Sequence, residues 1–89
     1  MAFLITYIPA NSSERNEELI DRVKKYSIWA ILNATNYIVK ANNKKPSEIR
    51  DELLDSLRPQ DKLLVTELTG NAAWKSLNED LSSWLKRNL

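Results

Sequence analysis

Residues 2–8 read AFLITYI, a run of mostly β-branched and aromatic residues that Pro9 stops, because proline cannot donate to a strand ladder. Side chains alternate across a strand, so Phe3, Ile5 and Tyr7 share one face and Leu4, Thr6 and Ile8 the other. Both faces are largely apolar. The run KLLVTEL at 62–68 repeats the pattern, with Leu63, Val65 and Glu67 set against Leu64, Thr66 and Leu68. Residues 28–32, IWAIL, are apolar throughout. A sheet covered on one side only would alternate apolar with polar residues. These strands want cover on two faces.

Helical periodicity fills the spaces between them. Asn11, Ser12 and Ser13 offer N-caps, acids Glu14, Glu17 and Glu18 follow where the helix dipole favours them, and Leu19, Ile20, Val23 and Tyr26 recur at helical spacing. This predicts a helix over about 12–26. Residues 28–32 and 37–41 are two short strands, with Asn33 to Asn36 as a hairpin turn or a bulged continuation. Asn42 and Asn43 open a loop. Pro46 and Ser47 start a second helix with Ile49, Leu53, Leu54 and Leu57 as its stripe, ended by Arg58 and Pro59. After the strand at 62–68, Thr69-Gly70-Asn71 breaks the chain. A last amphipathic helix over about 78–88 carries Leu81, Trp84 and Leu85, with Leu77 and Leu89 flanking. The order β-α-β-β-α-β-α predicts an α+β chain, the ferredoxin-like βαββαβ sandwich with an additional C-terminal helix. Its two-faced strands leave two forms of cover open. The last helix folds back over the second face, or a second copy packs sheet to sheet in a homodimer.

At 89 residues the chain makes one domain, 1–89, and its net charge of +1 gives no global field for nucleic acid or membrane. Charge is slightly uneven: residues 1–45 carry seven Lys/Arg against four acids, and residues 46–89 six against eight. The start MAFLITYIPA has no basic region and too short an apolar run for a signal peptide or a span, so it reads as the first strand of a cytoplasmic protein.

With no histidine, no cysteine and one glycine, imidazole bases, thiolate nucleophiles, zinc clusters and Gly-rich phosphate loops are excluded. No cofactor and no metal site is read from the residues. The i,i+4 acid pairs Glu17/Asp21, Glu48/Glu52 and Asp51/Asp55 lie beside Arg22, Lys25 and Arg50 and read as solvated helix faces. Two weak catalytic candidates remain, Tyr7 at the end of its strand and Glu67 inside an apolar one. Each has a plain alternative: a core ring with its hydroxyl at the rim, and an edge position. Lys40, Lys44, Lys45, Arg58 and Lys62 form a candidate phosphate-contacting cluster if one loop and one strand start meet at an edge. Trp29, Trp74 and Trp84 read as core or interface anchors before they read as base-stacking platforms. With Leu4, Ile8 and Leu64 they make the expected dimer face.

The segments FLITY (3–7), YIVK (37–40), PSEIRD (46–51), TGNAAW (69–74) and SWLK (83–86) together resemble the small SinR-like proteins of bacteria and phages. Those are similar in turn to the small CRISPR adaptation endonuclease subunit and to VapD-type toxin ribonucleases. The resemblance implies a ferredoxin-like dimer with packed sheets and nucleic acid, RNA or DNA, as partner. In the endonuclease relatives the first strand ends in a metal-holding aspartate, which suits metal-aided phosphodiester hydrolysis. Aligned from FLITY, that position is Ile8; Pro9 and Ala10 offer no substitute, and the next acid is Glu14. The expectation is therefore a homodimeric, nucleic-acid-associated binding protein without metal-dependent nuclease activity, and the balance falls against an enzyme. The alternatives are a metal-independent toxin-type endoribonuclease using Tyr7 and Lys40, and a regulatory subunit that binds another protein.

Overall fold

A computed structural model describes residues 1–10 and 15–89. The first strand, β1, is Ala2–Ile8; α1 is Glu17–Val23; β2 is Ile28–Asn33 and β3 is Asn36–Lys40. Then come α2, Pro46–Leu53, with a 3-10 turn at Leu54–Ser56, then β4, Lys62–Leu68, and α3, Glu79–Asn88. The strands form one antiparallel sheet in the order β2-β3-β1-β4. A four-stranded antiparallel sheet with three helices among the described residues is compatible with the expected ferredoxin-like sandwich.

One sheet face carries Phe3, Ile5, Tyr7, Tyr37 and Val39, all buried, against Leu19, Ile20 and Val23 of α1 and Ile49 and Leu53 of α2. The β-branched and aromatic residues that make the strands also fill this layer, which is why the central strands hold their register.

Helix ends differ from expectation for local reasons. The candidate caps Asn11, Ser12 and Ser13, with Glu14, lie outside the described residues. The helix is shorter than 12–26: Asn16 caps it, its Oδ1 accepting from the Leu19 N–H at 3.0 Å, while its Nδ2 donates to the Ser56 carbonyl at 2.8 Å. Lys24 closes it, and Tyr26 follows in a turn. α2 stops at Leu53 rather than Leu57, because the chain tightens into the 3-10 turn and Ser56 Oγ takes the Leu53 carbonyl at 2.6 Å. That rotation turns Leu54 out to solvent, off the predicted stripe.

The hairpin between β2 and β3 has a two-residue loop, Ala34 and Thr35, with a register shift between Ile31 and Asn33. Asn33 Oδ1 accepts the Thr35 N–H at 2.9 Å, an Asx turn that satisfies the reversing backbone. Asn43 adopts a positive φ of 59°, the left-handed turn geometry that asparagine tolerates.

α3 folds back over the second sheet face, the first of the two covers the strands demanded. Its Leu85 is buried with Ala2 and Ile38, and Leu4, Leu32, Leu68, Trp74, Leu81, Trp84 and Leu89 pack around them. Trp74 Nε1 donates to Ser82 Oγ at 3.0 Å, tying the β4–α3 connection to the helix. The cover is partial. Ile8 and Leu64, on the same face near the far end of β1, remain 49% and 56% exposed.

Candidate nucleic-acid interface

The register of β1 fixes where the basic residues lie. Ala2 stands opposite Lys40 of β3 and Leu68 of β4, whereas Ile8 stands opposite Lys62. Six residues of strand, about 20 Å, separate the two ends. Lys40, Lys44 and Lys45 therefore sit at the Ala2 end, while Arg58 and Lys62, flanking the start of β4, sit at the Ile8 end. The five do not form one cluster. α2 spans the sheet between the two groups, so the β3–α2 loop and the start of β4 occupy opposite ends of the strands.

The Ala2 end gains other cations. α1 returns to it, delivering Lys24 and Lys25 just before β2 begins with Ile28 opposite Lys40. Lys24 Nζ lies 5.5 Å from the centre of the Trp29 ring, and Lys44 Nζ lies 5.7 Å from that of Tyr26. Both are cation–π contacts, which hold a flexible ammonium against an aromatic face without neutralising it. Arg22, Lys25, Tyr26, Lys44 and Glu52 line an open cleft of about 400 Å³ there. Arg22 is anchored by donating to the Glu52 carbonyl at 3.1 Å. Arg22, Lys24, Lys25 and Lys44 thus stand about two aromatic rings at one end of the sandwich, whereas Lys40, paired with Ala2, projects to the α3 side of the sheet.

Glu52 is the counterweight. Its carboxylate accepts from both Lys44 and the Tyr26 hydroxyl. The Lys44 ammonium first, and the Tyr26 hydroxyl second, hold its carboxyl below the usual range. Burial, and then Glu52, push the Tyr26 hydroxyl up. At neutral pH Glu52 is charged and Tyr26 is not, so Glu52 takes up part of the Lys44 charge. Glu48 is occupied elsewhere, accepting the Lys45 N–H at 2.9 Å across the start of α2.

The catalytic candidates have structural surroundings. The Tyr7 ring is 3% exposed in the helix-side core, and its hydroxyl donates to Asp61 Oδ2 at 2.9 Å. Burial, then the Asp61 bond, push that hydroxyl up. Glu67 lies exposed on the edge strand β4, opposite Phe3. No group of three or more acids that could hold a metal ion occurs among the described residues.

Asp61, in the turn just before β4, is not among the candidate residues read from the sequence. Besides Tyr7 it accepts the Ala10 N–H at 2.9 Å and the Arg58 N–H at 3.0 Å. The Ala10 and Arg58 amides lead the causes that draw its carboxyl below the usual range. An acid does stand at the end of β1, but it arrives from the start of β4, which an alignment of the first strand cannot see. Its lone pairs are committed to closing that corner.

Of the expected dimer residues, Leu4, Ile8, Leu64, Trp74 and Trp84 belong to the second sheet face or its cover. Trp29 does not share their face: it is opposite Val39, on the helix side, 37% exposed and covered in part by Lys24. Nothing in the strand's apolar run distinguishes the two faces of IWAIL; only the pairing with β3 does. No protein-family model matches the chain, and no curated protein shows a significant match to it. No helix among the described residues is long and apolar enough to cross a membrane.

Proposed function

We propose that this chain is a ferredoxin-like nucleic-acid-binding protein that acts as a homodimer and performs no metal-dependent cleavage. The observation that carries the reading is the gathering of Arg22, Lys24, Lys25 and Lys44 around Tyr26 and Trp29 at one end of the fold, with Lys45 beside Lys44 at the start of α2. Cations supply sequence-independent attraction to phosphates, and an exposed indole supplies a surface on which a base stacks. At the opposite end Arg58 and Lys62 flank Asp61, whose carboxylate offsets their charge. The dimer reading is supported by Ile8 and Leu64, large apolar side chains left uncovered on the second sheet face. The ribonuclease alternative is not favoured, because the Tyr7 hydroxyl is engaged by Asp61 inside a packed corner.

Two charge-reversal pairs separate this reading from bulk electrostatics. Fluorescence anisotropy with a labelled 20-nucleotide single strand at about 50 mM salt should show affinity falling linearly with salt on logarithmic axes. Lys25→Glu with Lys45→Glu should weaken binding at least about tenfold, and Arg58→Glu with Lys62→Glu should change it little. Equal losses from both pairs, or no binding by the wild type, would sink the proposal.

A further inference from the structure

The partial cover of the second sheet face leaves a cavity of about 530 Å³ between the sheet, α3 and the connection at 69–78. Leu4 and Ile38 form its floor, Leu85 and Leu89 one wall, and Trp74 and Leu77 the other. Protein interiors seldom leave gaps larger than a water molecule, and small-molecule sites fall in the range of roughly 300–1,000 Å³ with mainly apolar linings. The connection around it is ten residues without helix or strand, which is long for a compact domain, and such ordered straps commonly serve binding. Two left-handed residues bracket the strap. Gly70 has φ 88°, and Ser76, a residue type that pays for this conformation, has φ 64°. Strain of that kind persists where the surroundings impose a shape.

Concavity and charge choose the occupant. A flat apolar patch suits a second copy of the chain, as at Ile8 and Leu64, whereas a recess walled on three sides suits a small molecule. No lysine or arginine lines it to answer a negative charge, and Glu67, which borders it from β4, is paired with Phe3 and turns its side chain to the other sheet face. An anionic head group would therefore be disfavoured. The amides of Asn33 and Asn71 stand at its margin and can donate to a hydroxyl or carbonyl oxygen. We infer that the recess beneath α3 binds an uncharged, elongated apolar molecule with one hydrogen-bonding end, at a site independent of the basic end of the fold.

The test uses the full-length protein and N-phenyl-1-naphthylamine, a neutral fluorophore that brightens in apolar surroundings. Fluorescence should rise saturably with one site per chain, 1-decanol should displace the probe, and decanoate should do so at least about tenfold less well. Ala73→Trp, at an exposed residue on the cavity wall, should weaken probe binding by a similar factor while circular dichroism stays that of the wild type. Methyl resonances of Leu4, Ile38 and Leu85 should shift on adding 1-decanol, which decides the matter even if Ala73→Trp folds poorly. Unsaturable binding, displacement by decanoate equal to that by 1-decanol, or shifts confined to Ile8 and Leu64 would overturn the inference.

Discussion

Asp61 joins three chain segments through one carboxylate, accepting from Tyr7, Ala10 and Arg58. Removing it leaves two backbone amides and a core hydroxyl without their partner, so Asp61→Ala should lower stability by about 1–3 kcal/mol in urea titration at pH 7. Because the folded carboxyl lies below its ordinary 3.8, its contribution is present above that pH and is lost as pH falls through the folded value. Wild-type stability should decline below about pH 4, with part of that decline missing in Asp61→Asn. Glu52 acts in the opposite sense on function. It pairs with Lys44, so Glu52→Gln frees a cation and should tighten nucleic-acid binding, steepening the logarithmic salt slope by about one unit in anisotropy titrations. Neither role is legible in the sequence. Asp61 looks like a turn residue and Glu52 like a solvated helix acid, and only the long-range approach of Tyr7 and of Lys44 with Tyr26 gives them their tasks.

At the scale of elements, the strands were legible because their composition and their period agree. β1 and β4 occupy the predicted residues, since proline and glycine end them by local geometry that no distant contact overrides. Helix ends were less legible. α1 could have been capped by any of several polar residues, and Asn16 is used because its amide also reaches the Ser56 carbonyl, 40 residues away. Asn16→Ala removes both bonds and should cost about 1–2 kcal/mol, whereas Asn16→Asp keeps the cap and should cost less, measured by chemical denaturation. The end of α2 shows the same dependence. Tightening into a 3-10 turn brings Ser56 to Asn16, and the stripe read from periodicity then loses Leu54.

At the scale of the molecule, an accessible surface of 5948 Å² exceeds the roughly 5,400 Å² expected for a monomer of this mass. The excess agrees in direction with a second sheet face that α3 covers only in part. If a second copy completes the cover, sedimentation should give about twice 10.3 kDa at micromolar concentration. Ile8→Lys with Leu64→Lys should then return the mass to that of a monomer while changing chain stability by less than about 0.5 kcal/mol, since both side chains are exposed. A 10.3 kDa mass for the wild type would reject the dimer. The basic end is also a property of this scale, because Lys24, Trp29 and Lys44 come from three segments that are brought to one end only when the sheet forms.

The sequence alone determined the element order, the apolar character of both sheet faces and the absence of imidazole and thiol chemistry, because these follow from residue type and from periods of two and 3.6. Tertiary structure decided which lysines meet, which face Trp29 takes, and that the strand beginning AFLITYI receives its terminal acid from Asp61. Those outcomes depend on register and on the direction in which each helix returns across the sheet, and local preference does not encode either.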